Sequence, residues 1–136
     1  MMLDPTAFVA DPELVEALTR KAIPLTCDTD RVLFRQGDSP AGLFILNSGE
    51  VTLSMDAPNG EVILSFQTTA GSLLGLPGLV SDQPYTLTAV AQAGARISFL
   101  DRDAFTAFMN GSPSLAFKVL QVLAAEVSAA RRAIPV

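Results

Sequence analysis

A chain of 136 residues, 49% of them apolar, is long enough to bury one sizeable core without a disulfide or metal staple, and its nine glycines and nine prolines are scattered rather than clustered. Nine basic against fourteen acidic residues leave a net charge of -5, with basic pairs only at Arg20-Lys21 and Arg131-Arg132, so a phosphate-backbone surface is disfavoured. One cysteine and no histidine exclude an intramolecular disulfide, a four-cysteine cluster, histidine-ligated haem or metal, and a histidine-dependent triad. The opening MMLDPTAF has no basic region leading into an apolar core, and no run of about 18 apolar residues occurs. A cytoplasmic protein without a membrane partner is the expectation.

Asp4-Pro5 and Asp11-Pro12 each set a capping acid before a proline suited to the first helical position, which predicts two short helices within residues 1–22. In the second, PELVEALTRKA, Leu14, Val15 and Leu18 form one apolar stripe, with acids early and bases late as the macrodipole prefers. From Ile23 the period changes to two. Strands are predicted at 31–34 (RVLF), 43–46 (LFIL), 50–56 (EVTLSMD), 61–68 (EVILSFQT), 87–93 (LTAVAQA) and 95–101 (ARISFLD). Asn59-Gly60 reads as a two-residue hairpin. Turn signals about every ten residues imply an antiparallel roll or barrel rather than a parallel sheet.

Residues 71–91, GSLLGLPGLVSDQPYTLTAVA, interrupt this series with a short-helix-sized insertion. Gly71, Gly75 and Gly78, with Pro77 and Pro84, permit tight turns and expose main-chain amides of the kind that cradle anions. The hydroxyls of Ser72, Ser81, Tyr85 and Thr86 lie nearby, but no Arg or Lys stands between Arg35 and Arg96 to pair with a charge.

Asp101 caps a predicted short helix carrying Phe105 and Phe108, and Ser112-Pro113 opens a longer one reaching Arg132. Ala116, Leu120, Leu123, Val127 and Ala130 make one stripe on it, while Leu115, Val119 and Val122 make a neighbouring one. A helix at the edge of one domain needs one apolar face, so the first stripe is expected to be the interface of a homodimer. The organisation is a single domain over 1–136: helices in 1–22, the roll in 23–101 with a cassette at 71–86, and helices in 102–132.

The run FRQGDSPAGLFILNSGEVTL (34–53) resembles the start of the β-roll in cyclic-nucleotide-binding domains, with its phenylalanine, Gly-Asp, apolar strand and Gly-x-Val pattern. Hairpin, glycine-bearing cassette, two strands, short helix and long helix follow in the order found in CRP/FNR regulators, over residues 13–132. The resemblance implies an eight-stranded antiparallel β-roll of jelly-roll type with flanking helices, dimerising through the long helix. In that family a cassette glutamate holds the ribose and an arginine the cyclic phosphate. Here Gly75 matches the cassette glycine, Leu76 stands at the glutamate position, and Pro84-Tyr85-Thr86 occupies the arginine region. Thr86 alone is kept as a hydroxyl donor. The cassette is thus similar to that of FNR-type members, although their iron–sulfur cluster and the haem of related sensors have no ligands here. The family's helix-turn-helix follows the long helix, and the sequence stops at Val136, so direct DNA binding by this segment is not expected.

Gly75, Leu76, Tyr85 and Thr86 are accordingly the candidate ligand-binding residues, and two readings of them stay open. They line a pocket of changed specificity for a cyclic nucleotide or another small-molecule effector, or they belong to a degenerate cassette whose Leu73, Leu74, Leu76 and Leu79 fill the roll. Filling the roll is the simpler of the two. Gly37, Asp38 and Gly49 are turn residues. Cys27, beside Asp28 and Asp30, lacks the cationic neighbours of a reactive thiol. Asp101 and Asp103 sit at a helix start, where capping accounts for them; Arg131 and Arg132 have the reach for a partner's ligand pocket or an adjoining domain, but favourable placement at a helix C-terminus is the simpler account. No nucleophile-and-base pair, metal site or cofactor site is present in the pattern. The chain reads as a non-enzymatic regulatory sensor domain, with a ligand-free dimerisation or protein-interaction module as the alternative.

Overall fold

The period-two stretch forms two four-stranded antiparallel sheets laid face to face. In the computed structural model, which describes residues 3–133, the strands are β1 (Ile23–Thr26), β2 (Arg31–Phe34), β3 (Gly42–Ser48), β4 (Val51–Asp56), β5 (Val62–Thr68), β6 (Leu73–Leu74), β7 (Thr88–Ala91) and β8 (Arg96–Asp101). One sheet has the order β1-β8-β3-β6 and the other β2-β7-β4-β5. All pairings are antiparallel, as expected for a jelly roll.

The unbroken apolar run of β3 has a structural cause. Phe44 and Leu46 point into the roll, whereas Leu43 and Ile45 point out to a second core beneath the helices, so neither face of the strand meets water. Helix α1 (Pro12–Lys21) supplies Leu14 and Leu18 to that second core, and α3 (Arg102–Gly111) supplies Phe105 and Phe108. Asp11 caps the first by accepting from the Leu14 amide at 2.9 Å, and Asp101 the second from the Ala104 amide at 2.8 Å. The cassette contributes the two-residue β6, paired with β3, and the six-residue α2 (Leu76–Ser81). The last element, α4 (Pro113–Ala133), lies back along the molecule. Its Lys118 meets Asp11 at 2.7 Å and Glu13 at 3.1 Å, an exposed tether to α1 of small energetic weight.

Two local expectations differ from the structure. Asp4-Pro5 starts a four-residue 3-10 turn, Pro5–Phe8, not an α-helix. The Val9 amide closes it on the Thr6 carbonyl (3.1 Å), and Val9 then bridges to Ser72, which pulls the chain onto the cassette. The β4–β5 connection is longer than a two-residue hairpin. Gly60 donates to the Ala57 carbonyl and Ala57 to the Glu61 carbonyl, both at 2.8 Å, which puts Pro58 at the second turn position and Gly60 at φ +89°. Proline cannot take the positive φ that a primed two-residue turn requires there, so the loop widens by a bulge.

Where β3 crosses β8 the two backbones are too close for any side chain: a Cβ on Gly42 would lie 2.2 Å from the Leu100 carbonyl oxygen and 2.9 Å from the Asp101 Cα. Gly42→Ala is expected to cost about 1–3 kcal/mol in urea unfolding, because backbone must move to admit the methyl. Gly111→Ala, whose Cβ meets nothing within 4 Å, should stay within about 0.5 kcal/mol of the parent.

Candidate functional site

The inward residues of β4 and β5, Leu53, Met55 and Leu64, together with Phe34 at the end of β2, form the floor of a cavity of about 250 Å3. The cassette walls it with Leu74, Gly75, Pro77 and Gly78, and the chain returning from the cassette adds Tyr85, Thr86 and Leu87. Leu3 and Phe8 close the amino-terminal side, with the Phe8 ring 5.6 Å from that of Phe66. Helix α4 covers it with Glu126, Val127, Ala130 and Arg131.

Three of the four predicted ligand-binding residues, Gly75, Tyr85 and Thr86, meet at this cavity. Leu76 does not line it; fully buried, it packs in the second core with Leu14, Phe105 and Val119. Leu73 and Leu79 lie in that same core and Leu74 in the first, so the cassette leucines do fill the molecule while leaving the cavity beside them.

Tyr85 is held from both ends. Its hydroxyl donates to the Gly42 carbonyl at 2.9 Å and accepts from the Ala41 amide at 3.1 Å. Its ring stacks on Phe34 with centroids 4.0 Å apart. Gly75, at φ +87°, lies against the same ring, where a Cβ would come within 2.8 Å of it. The backbone repeats the link: the Gly37 amide donates to the Tyr85 carbonyl at 2.8 Å and the Tyr85 amide to the Asp38 carbonyl at 2.9 Å. Near the position where the family carries its arginine, this chain therefore has an aromatic wall whose polar atom is already spent.

The remaining polar groups of the lining come from α4 and Thr86. Glu126 is 4% exposed, and among the described residues neither carboxyl oxygen has a hydrogen-bond partner. Burial pushes its pKa up to about 9, so the acid is neutral at physiological pH. Arg131 is the other charged side chain of the lining; it is exposed, and no ion pair joins it to Glu126. The sequence favoured a helix C-terminus as the whole account of Arg131, and the fold brings it to the cavity of its own chain.

Glu126 was missed because a glutamate on a long helix reads as solvent-facing. The signal lay in its spacing: it follows Val119 by seven and Val122 by four, on the track that faces inward. With Val119, Val122, Glu126 and Ala129 buried, the outward face of α4 is rotated from the predicted stripe. Leu120 and Val127 are 46% and 44% exposed, Ala116 and Leu123 are half-buried, and Ala130 packs against the roll. Phe117, 62% exposed, joins the outward face.

The raised pKa fixes the sign of a pH effect. Between the ordinary 4.5 and about 9 the native chain keeps a proton on Glu126 that the unfolded chain has released. Stability from this group is thus complete below 4.5 and falls as the pH rises toward 9. Glu126→Leu is expected to flatten that slope and to stabilise the fold at pH 7 by roughly 1–3 kcal/mol, measured as thermal melts across pH.

Residues 25–112 match the cyclic nucleotide-binding domain family, well over half of the chain. The chain is 26% identical over 114 residues to a CRP-like cAMP-activated global transcriptional regulator of Mycobacterium tuberculosis, covering 84% of this chain and 51% of that protein. It is 29% identical over 125 residues to the acetyltransferase Pat of Mycolicibacterium smegmatis, covering 92% of this chain and 37% of that one. It thus spans about half, or less, of the curated relatives it matches. Among solved structures, the catabolite activator protein of Thermus thermophilus superposes with a TM-score of 0.77 at 23% identity, over 93% of this chain and 60% of that one. The two-sheet roll, the cassette, the long closing helix and the family match together place this chain in the cyclic nucleotide-binding domain family.

Proposed function

We propose that the chain is the non-enzymatic sensor domain of a CRP/FNR-type regulator, that it dimerises through α4, and that its effector is a small molecule other than a cyclic nucleotide. One observation carries this reading: the cavity walled by the cassette exists, but its buried ionisable group is the carboxyl of Glu126, unpartnered among the described residues, rather than a cation. A cyclic phosphate entering it would find Tyr85 already bonded to Gly42 and Leu76 turned into the other core. The missing charge-assisted pair is worth about 2–5 kcal/mol in comparable buried settings, or one to several decades of affinity. A ligand-free module is less well supported, since the space between roll and helix is not filled.

Dimerisation rests on the outward face of α4, where Phe117, Leu120 and Val127 fall at three- and seven-residue steps and stand exposed. The inner face of α4 packs into both cores, and by its place in the chain α4 corresponds to the helix through which the resemblance implies pairing. A ligand touching α4 from inside would favour one packing of the helix pair over another by its differential contacts. Nothing in the lining offers a nucleophile with its base, so the catalytic role in any longer protein falls to another part. The location is taken to be the cytoplasm.

One experiment with two arms tests the reading. Cyclic AMP and cyclic GMP, titrated to about 1 mM, should leave the melting temperature unchanged, whereas micromolar nucleotide raising it would contradict the proposal. In sedimentation the parent chain should be a dimer, and Phe117→Glu with Leu120→Glu should weaken it by at least about a hundredfold. An unchanged dimer would remove this interface.

A further inference from the structure

We propose that the cavity takes a compact, uncharged, largely apolar ring compound with a hydrogen-bond donor beside an acceptor on one edge, as in a cyclic amide, and that this edge pairs with the Glu126 carboxyl. The inference rests on the sensor reading above and names the chemical class of its effector.

The geometry poses a problem that such a ligand solves. Glu126 is 4% exposed and lines the cavity, and both its oxygens lack partners among the described residues. A buried polar group left unpaired costs roughly 1–3 kcal/mol, so a native chain that keeps one has a reason located elsewhere. The surrounding side chains do not supply the bonds: Phe34, Leu53, Met55, Leu64 and Leu74 are apolar, the Tyr85 hydroxyl is committed to Gly42, and neither Thr86 nor Arg131, the other polar side chains of the lining, bonds to the carboxyl.

Charge decides between ligand classes. An anion would confront the buried carboxyl with only the exposed, water-screened Arg131 to attract it, and a cation would have to leave water and ionise the acid in a low-dielectric space, so that two charges are desolvated for one pair. A neutral carboxyl instead offers one O–H donor and one carbonyl acceptor side by side. An amide N–H and C=O held cis in a ring meets both at once without burying any charge. Size points the same way: about 250 Å3 lies below the ~300–1,000 Å3 typical of drug-sized sites, which suits a single or fused ring. Since Glu126 sits on α4, the bond would be made directly to the helix whose other face carries Phe117 and Leu120.

The test uses the whole 136-residue chain and three probes of similar bulk, with binding followed by isothermal titration and amide NMR shifts. They are 2-quinolone (a fused cyclic amide), N-methyl-2-quinolone (its donor blocked) and 1-naphthylmethylamine (a cation). The parent should bind 2-quinolone saturably and the N-methyl compound about tenfold more weakly or worse. Glu126→Gln, whose amide also presents donor beside acceptor, should stay within about threefold of the parent. Glu126→Leu, expected to be the more stable fold, should lose about tenfold or more. Equal binding of both quinolones, or full binding by Glu126→Leu, would overturn the assignment, as would no saturable binding of 2-quinolone. Tight binding of the amine that vanishes in Glu126→Gln would overturn it in favour of a cation site. These outcomes are independent of the nucleotide and sedimentation arms, so a failed pairing with Glu126 is distinguishable from a failed sensor reading.

Discussion

Everything at this site depends on one constraint: α4 closes the open end of the roll with a face that includes a glutamate. Val119, Val122 and Ala129 would make an ordinary apolar seam by themselves. Placing Glu126 among them forces a carboxyl out of water with no partner among the described residues, and its cheapest state there is the neutral acid. The floor of the cavity is apolar through Phe34, Leu53, Met55 and Leu64, and the buried carboxyl sets the kind of molecule that the space suits. A leucine at 126 would leave the space without a buried carboxyl, its remaining polar side chains being the exposed Thr86 and Arg131 and the committed Tyr85.

The second fixed point is Tyr85. Its hydroxyl is tied to the start of β3, its ring to Phe34, and Gly75 is left without a side chain against that ring. The loop after β2 joins the same point through Gly37 and Asp38. Where the resemblance implies an arginine for an anion, this cassette presents the ring of Tyr85. The buried carboxyl of the lining, Glu126, comes from α4 and not from the cassette.

Much of this was legible in the residues. Capping acids, the alternation of Val51, Leu53 and Met55, and the glycine-bearing insertion pointed to six of the eight strands and to the order of the helices, because each is a local consequence of periodicity or backbone freedom; β1 and the two-residue β6 were not among the predicted strands. The double-faced burial of β3 showed as an unbroken apolar run. Three local rules were overridden. Pro58 shifted the Asn59-Gly60 turn by one place, a bridge from Val9 to Ser72 ended the first turn early, and Leu76 rotated away from the cavity. The site was half legible: Gly75, Tyr85 and Thr86 follow from the cassette, but Glu126 and Arg131 reach the cavity only through the docking of α4, which no local pattern fixes. The same docking decides which apolar residues remain outside, and so substitutes Phe117 for the half-buried Leu123.

The helix with the acid on one side and the exposed apolar residues on the other is where ligand and partner would communicate, and the protonation state of Glu126 is the central claim behind that role. The most direct measurement is a carboxyl-carbon NMR titration of Glu126 in the folded chain, assigned by its loss in Glu126→Gln. The account predicts that this resonance holds the chemical shift of a protonated acid through neutral pH and titrates at about 9. A transition near the ordinary 4.5 would mean a solvated or ion-paired carboxylate, and would contradict the neutral, unpartnered acid on which the site is built.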